Sequence, residues 1–278
     1  MEANAYSSPF DTPIALQEYL EKEELLNNVP LGIYNRLKTN PECFKNYQLI
    51  VASDESGITG YAHHTPPHPL CIAQSSVKAI QKIGDLISEE KLEISGIQGK
   101  KSLVEELLNH KPELKQKITG NDIQGCYKLT KVIPTTHNPG MMRVATPADA
   151  PIVGEWRNGF DRDVEYPQLD PKELKLWLDD RIANECIHIL EVGGAPVASA
   201  IAGRTMLHGR TIGFVYTPPE QRGKGYASQL VANLSQKILD EGFKYVCLFT
   251  QMSNPTSNKI YQNIGYEWIE EFVHYKLK

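Results

Sequence analysis

The sequence predicts a mixed α+β chain built as two copies of one plan in tandem. Three observations predict it. The chain has 278 residues, which at roughly 100–200 residues per domain points to two domains. Strand-like alternation and helix-like periodicity recur in the same order in both halves. Residues 131–140, Lys-Val-Ile-Pro-Thr-Thr-His-Asn-Pro-Gly, interrupt both patterns with two prolines and a glycine, as a linker would. The boundary is placed near residue 138, giving domains over 1–138 and 139–278.

In the first half, helical segments are expected between residues 12 and 38. Strands 47–52 and 58–63 flank the turn Asp54-Glu55-Ser56-Gly57, and 70–73 is a short strand. Residues 75–89 form a helix with Val77, Ile80, Ile83 and Ile87 on one face. A strand at 91–97, a helix at 100–109 and a strand at 125–133 complete this half. In the second half a short strand covers 142–144. Thr146-Pro147-Ala148-Asp149 opens a helix with Thr as cap, Pro at the first helical position and an acid in the first turn. Asp170-Pro171-Lys172-Glu173 opens another by the same logic. Strand 186–192 turns at Gly193-Gly194 into strand 195–202. A second turn at His208-Gly209 leads to strand 211–217. The long helix 225–241 repeats Ala227, Leu230, Val231, Leu234 and Ile238 at helical spacing and stops at Gly242. Strand 245–250, a short helix 255–264 ended by Gly265, and one or two strands in 268–277 close the chain.

A net charge of −5 argues against a nucleic-acid protein, which would carry a basic stripe. The five cysteines, Cys43, Cys71, Cys126, Cys186 and Cys247, are scattered and odd in number, which fits reduced cytosolic thiols better than a disulfide frame or a zinc site. The N-terminus Met-Glu-Ala-Asn has neither a basic nor an apolar leader region. The longest apolar stretch, near 195–203, falls short of the ~20 residues that span a bilayer. A cytoplasmic protein without membrane or nucleic-acid partners is expected.

The most informative segment lies between a strand and the long amphipathic helix: Val215-Tyr216-Thr217-Pro218-Pro219-Glu220-Gln221-Arg222-Gly223-Lys224-Gly225-Tyr226-Ala227. Gly223 and Gly225 let the backbone turn tightly and approach a ligand. The unpaired amides of the helix start, at the positive end of its dipole, then face the loop, a geometry that binds phosphate. Arg222 and Lys224 add positive charge. Spacing alone leaves an ordinary tight turn open. The segment is neither a Walker loop nor a dinucleotide fingerprint.

Arg222-Gly223-Lys224-Gly225-Tyr226-Ala227 resembles the R/Q-x-x-G-x-G/A motif of the GNAT acetyltransferase superfamily, with Ala in the last place, and the resemblance covers roughly residues 142–278. It implies that each half is a GNAT-like domain with a mostly antiparallel central sheet flanked by helices. It implies that backbone amides of Arg222, Gly223, Lys224, Gly225, Tyr226 and Ala227 hold the pyrophosphate of acetyl-coenzyme A as co-substrate. It further implies that Val215, Tyr216 and Thr217, with Phe214 nearby, lie where the family widens a strand gap to pair with pantetheine; the sequence does not locate the bulge that would do so. Asn254-Pro255-Thr256-Ser257-Asn258-Lys259-Ile260-Tyr261, followed by Gly265-Tyr266, is similar to the family's N-x-x-x-N-x-x-Y-x-x-x-G-F/Y segment. Asn254 is also a good helix cap, and Asn258 and Tyr261, three apart, share a helix face. The resemblance implies that Asn254 and Asn258 serve the cofactor arm and that the Tyr261 hydroxyl lies near the coenzyme A sulfur. A thiol titrates near about 8.5 and a phenol near about 10, so Tyr261 is a plausible general acid; the alternative is a core tyrosine bonded to backbone.

What the resemblance implies is an N-acetyltransferase acting on a primary amine, from a small molecule or a peptide. A catalytically silent coenzyme A-binding module is the alternative. Phe160-Asp161-Arg162-Asp163-Val164-Glu165-Tyr166, read as a loop between the first two helices, matches a region that helps form the family's acceptor pocket, where its acids could bind or deprotonate a cationic amine, although each acid taken singly reads first as a solvated side chain. Glu155 and Trp156 are ambiguous, with Trp156 read as core. In the first half only Gln74-Ser75-Ser76 stands where the phosphate loop would be. That half resembles the degenerate N-terminal domain of tandem GNAT proteins, and no coenzyme A site is expected there. His63, His64 and His68 suggest a metal weakly; no acid or cysteine stands at matching spacing, and no metal is expected.

Overall fold

The computed structural model describes residues 1–134 and 140–278; the expected boundary near residue 138 lies outside the described residues. In chain order the elements are β1 (Glu2–Tyr6), α1 (Leu16–Lys22), α2 (Asn28–Thr39), β2 (Gln48–Asp54), β3 (Gly57–His64), β4 (Leu70–Ile72), α3 (Val77–Glu89), β5 (Gly96–Lys100), α4 (Lys101–His110), α5 (Pro112–Lys115) and β6 (Ile118–Leu129). They continue with β7 (Gly140–Val144), α6 (Ala150–Asp163), α7 (Pro171–Ala183), β8 (Ile187–Val192), β9 (Ala195–Thr205), β10 (Gly209–Tyr216), α8 (Tyr226–Asp240), β11 (Tyr245–Gln251), α9 (Pro255–Ile264) and β12 (Glu267–Leu277). This is a mixed α+β chain whose strands pair mostly antiparallel. Among the described residues no helix is long and apolar enough to cross a membrane.

The chain divides into two compact units. The first holds Met1–Cys126, Thr250–Ser253 and Ile269–Lys278; the second holds Tyr127–Phe249 and Asn254–Trp268. The C-terminal residues therefore belong to the first unit, where β12 pairs antiparallel with β5, Val273 opposite Gly99. In this unit β1, β2, β3 and β4 run antiparallel in order, and β4 pairs parallel with β5. Helices α3 and α4 bury Ile80, Ile83, Ile87, Val104 and Leu107 on one side of the sheet, and α1 and α2 bury Leu16, Leu20, Leu31 and Leu37 against Tyr61.

The second unit orders its strands β7-β8-β9-β10-β11, antiparallel except for the β10–β11 pair. One face is covered by α8 through Leu230, Val231, Leu234 and Ile238. The other is covered by Val153 and Trp156 of α6 and Leu178 of α7. Period-2 alternation assigns the strand residues: Leu190 faces α8, whereas Ile187 and Ile189 face α6 and α7. Both expected helix starts are capping boxes. Thr146 and Asp149 exchange hydrogen bonds at a short 3-10 turn before α6, and Asp170 and Glu173 do so at α7.

Several expected details differ. The strand expected at 91–97 is β5, Gly96–Lys100, because Lys91 adopts φ 51° and Leu92 N–H bonds back to Ile87 O at the exit of α3. Val77 opens α3 but is half exposed; the buried face consists of Ala79, Ile80, Ile83, Leu86 and Ile87. Residues 160–163 are not loop: α6 runs to Asp163, so only residues 164–170 connect it to α7.

Candidate functional site

The site begins with a fault in β10. Ile212 faces α8, and strict alternation would put Phe214 beside it. Instead Phe214 faces α6 and α7, Val215 packs toward α8, and Tyr216 again faces α6 and α7. The register shows the cause: Gly213 sits opposite Ile201 and Tyr216 opposite Ser199 on β9, three residues against two. That is a β-bulge. Phe214 carries it at φ 49°, a conformation uncommon for a bulky residue. Packing holds it there: Phe214 makes edge-on contacts with Phe160 at 5.3 Å and Trp177 at 5.4 Å between ring centroids. Arg157 stacks on Trp177 at 5.0 Å and is held by the buried Asp161 carboxylate.

On the other edge, β10 pairs with β11 only from Gly209 opposite Tyr245 to Thr211 opposite Cys247. Beyond that the two parallel strands are no longer in register contact, over the stretch that contains the bulge, Val215, Tyr216 and Thr217. The Thr217 hydroxyl is buried without a hydrogen-bond partner among the described residues, an arrangement that costs free energy unless something else satisfies it.

The chain then enters the glycine loop. Gly223 and Gly225 have φ 77° and 79°, values a Cβ disfavours. Gly225 is the N-cap of α8 and has no side chain to close the helix start. The first amides of α8, from Tyr226 and Ala227 onward, therefore lack the side-chain cap that would compete with an anion. Arg222, Gly223, Lys224 and Gly225 are exposed, and Tyr226 and Ala227 are half-buried. Two loop side chains are occupied. Arg222 Nε donates to Thr217 O at 2.9 Å and Nη2 to Asp163 Oδ2 at 2.5 Å, with its guanidinium over the Tyr216 ring. Lys224 Nζ donates to Gln221 Oε1 at 2.9 Å.

After β11, Asn254 caps α9 by accepting from Ser257 N at 3.0 Å, with Pro255 at the first position. Asn258 is fastened at both ends of its amide: Nδ2 donates to Asn254 O at 2.6 Å, and Oδ1 accepts from the Tyr127 hydroxyl at 2.7 Å. Its role here is to tie the first turn of α9 together. Tyr261 is 7 % exposed and packs edge-on against Tyr266. No hydrogen bond among the described residues engages its hydroxyl, and burial raises its phenol above the ordinary tyrosine value. Tyr266, in contrast, bonds Ser235 at 2.8 Å.

Tyr216 is buried beneath α6 because Gly159 makes room for it: a Cβ on Gly159 would lie 2.2 Å from the Tyr216 hydroxyl oxygen. Trp156 packs on the same ring as core, at 6.5 Å between centroids. Gly159 and Tyr127 were not singled out from sequence, whereas Asp163 was, as one acid of the 160–166 segment. Gly159 sits on the helix face shared with Trp156 and Asp163, which is the signal that was available. The Tyr127 bond to Asn258 spans 131 residues and leaves no local trace.

The same region of the first unit is built differently. In the loop Gln74-Ser75-Ser76, Gln74 N donates to Asn27 Oδ1 at 2.7 Å, the Tyr19 hydroxyl donates to Gln74 O at 2.6 Å, and Ser76 caps α3 by accepting from Ala79 N. A Cβ on Gly99 of β5 would lie 2.9 Å from the Ile72 carbonyl oxygen of β4, next to the Cys71–Gln98 pair of these two parallel strands. His63 and His64 are buried, and burial lowers the pKa of both, His63 to about 3. His68 stacks edge-on with Phe44. Among the described residues no three His, Cys, Asp or Glu side chains group as metal ligands would.

The family described as FR47-like protein matches residues 193–274. A GCN5-related N-acetyltransferase from Sphaerobacter thermophilus superposes with a TM-score of 0.66 at 13% identity, covering 98% of this chain and 94% of the other. A GNAT-family acetyltransferase from Colwellia psychrerythraea does so at 0.61 and 13%, covering 100% of both. A tandem GNAT protein from the clavulanic acid biosynthesis pathway gives 0.59 at 11%, covering 99% and 98%.

The chain has the tandem GNAT-type fold.

No curated protein matches the sequence. At these identities the likeness shows the fold, and the FR47-like match falls on the half that carries the bulge and the glycine loop. The GNAT-type frame explains why both units repeat one order of elements.

Proposed function

We propose that the second unit is an acetyl-CoA-dependent N-acetyltransferase that transfers the acetyl group to a primary amine, of a small molecule or a peptide, and that the first unit carries no coenzyme site. One observation carries this reading: β10 and β11 part beyond Thr211 just where the Phe214 bulge frees backbone groups, and the parted strand leads into an uncapped helix start. The diphosphate would be held by amides from Arg222 to Ala227. The pantetheine arm, itself rich in amides, would lie along Val215, Tyr216 and Thr217 as an added strand does, and the buried Thr217 hydroxyl would gain a partner. Asn254 and Asn258 support this reading by fixing the start of α9, which presents Tyr261.

The bound thioester supplies an activated acyl group. The neutral amine nitrogen forms a bond to the carbonyl carbon and the carbon–sulfur bond breaks, with sulfur leaving as thiolate; the nitrogen gives its surplus proton to solvent water, and solvent returns a proton to the group that protonates the sulfur. A backbone N–H of the bulged stretch is suited to stabilise negative charge developing on the carbonyl oxygen. Tyr261 stays protonated throughout the neutral range because burial holds its phenol high. A free thiol titrates near about 8.5, so complete proton transfer from such a phenol would be uphill in water. The same desolvation raises a thiolate, which brings the two groups closer and lets Tyr261 donate to the leaving sulfur.

In the first unit the loop amide of Gln74 is already bonded and α3 is capped by Ser76, which supports a role other than coenzyme binding. The test of the whole reading is thiol release from acetyl-CoA with a panel of primary amines. Amine-dependent release supports transfer. Saturable coenzyme binding without release by any amine would leave a coenzyme A-binding module instead.

A further inference from the structure

Arg157 of α6 stands beside the face of β10 on which Phe214 bulges. Its guanidinium lies 5.0 Å from the centre of the Trp177 ring, and that ring meets Phe214 edge-on at 5.4 Å. Phe160, three residues on along α6, meets Phe214 at 5.3 Å. Arg157 Nε donates to Asp161 Oδ1 at 3.0 Å and to Oδ2 at 2.9 Å. The Asp161 side chain is 0% exposed and that of Arg157 19%. A buried carboxylate on one edge and an indole on one face therefore fix the plane of the guanidinium.

Asp161 takes up only the Nε edge. The two Nη groups make no hydrogen bond among the described residues, and their N–H donors form the planar fork that matches a carboxylate bidentately. With the rotamer already set, little side-chain freedom is lost when such a contact forms. The charge around these rings points the same way. Arg157 and Arg222 lie over Trp177 and Tyr216, and Arg162 also acts on Tyr216, while the carboxylates beside them are Asp161 and Asp163. Three guanidiniums against two carboxylates leave one positive charge in excess, in a chain whose net charge is −5. A face of that sign draws in an anionic group.

We infer that the Nη edge of Arg157 binds a carboxylate of the acceptor, so that the acceptor is a free amino acid, a primary amine and a carboxylate on one small molecule. The inference rests on the second unit being an N-acetyltransferase and narrows the acceptor of that reaction. The carboxylate docks on Arg157, the amine turns toward the bulged stretch of β10, and the rings of Phe160, Trp177 and Phe214 wall the carbon chain between them. Asp161 and Trp177 are positioning residues that hold the guanidinium in place. A pair that merely ties one turn of α6 to the next would give no discrimination between an acid and its amide.

The test is thiol release from acetyl-CoA by the full chain with glycine, β-alanine, leucine and phenylalanine, each against its own carboxamide and alongside simple alkylamines. For the best pair, kcat/KM for the acid should exceed that for the amide about tenfold or more. A neighbouring carboxylate keeps an ammonium protonated, so the amide starts with more free amine and the expected preference runs against that advantage. Arg157→Lys retains a cation for the buried Asp161 but loses the fork; in this variant the acid-to-amide ratio should fall toward one, through a higher KM for the acid. Equal or better turnover of amides or alkylamines by the wild type overturns the inference without recourse to any variant. So does an unchanged ratio in folded Arg157→Lys. Release with none of the amines, acids and amides alike, overturns the underlying functional reading instead.

Discussion

Replacing Gly159 by alanine would place a methyl group 2.2 Å from the Tyr216 hydroxyl oxygen and 2.7 Å from its Cζ. Non-bonded carbon atoms rest about 3.5–4.0 Å apart, so helix α6 or the tyrosine must move by roughly 1 Å. Tyr216 has little freedom to do so. It is 7 % exposed, packed by Trp156, covered by Arg222 and paired in register with Ser199. Overpacking of this kind costs about 1–3 kcal/mol, and the better helix propensity of alanine returns up to about 1 kcal/mol. The expected net loss is about 1–2 kcal/mol, a fall in Tm of about 2–8 °C. Because Tyr216 lies between Val215 and Thr217, the shift should also raise KM for acetyl-CoA. The assay is thermal unfolding of Gly159→Ala, Tyr216→Leu and the pair. With the ring gone, Gly159→Ala should become neutral or slightly stabilising. Equal destabilisation in both backgrounds would refute the packing argument, as would a Gly159→Ala variant with wild-type Tm.

Tyr261→Phe should lower kcat about 100-fold or more with KM for acetyl-CoA nearly unchanged; steady-state thiol release measures both, and an unchanged kcat across pH removes the proton-donor role. His63 is held near about 3 by burial, against an ordinary value of 6.5. Below pH 6.5 the unfolded chain takes up a proton that the folded chain refuses, so stability should fall as pH drops from 6.5 toward 3; denaturant titrations of His63→Phe should show that slope flattened. Asp85 is lowered to about 2 by hydrogen bonds from Lys111 and His110. Its stabilisation should be complete above about pH 4 and lost as pH falls through 2, and Asp85→Asn should show a weaker acid dependence over that window.

The parts of the fold that were legible in the sequence are those whose causes are local. Gly223 and Gly225 announce positive φ because glycine is the residue that tolerates it, and both adopt it. Helix α9 matches its expected span because Asn254, Pro255 and Gly265 mark its ends. Both capping boxes were written as four-residue patterns. What remained hidden has distant causes. The bulge at Phe214 depends on Phe160 and Trp177, more than thirty residues away; its local trace, Gly213 followed by three apolar residues, reads equally as a plain buried strand. The return of β12 to the first unit is a pairing with β5 across more than 160 residues, which no turn or periodicity encodes. Strand β1 was missed because Glu2–Tyr6 is short and alternates weakly. The ion pair of Arg222 with Asp163, 59 residues apart along the chain, turns a residue expected to add charge to the phosphate site into one already engaged.

The most direct measurement is isothermal titration of acetyl-CoA into the purified full chain, alongside Gly225→Val, which puts a β-branched residue where φ is 79°. The account predicts one saturable site per chain, lost in the Gly225→Val variant while the rest of the protein remains folded. Absence of saturable heat at millimolar acetyl-CoA, two sites per chain, or undiminished binding by Gly225→Val would contradict it.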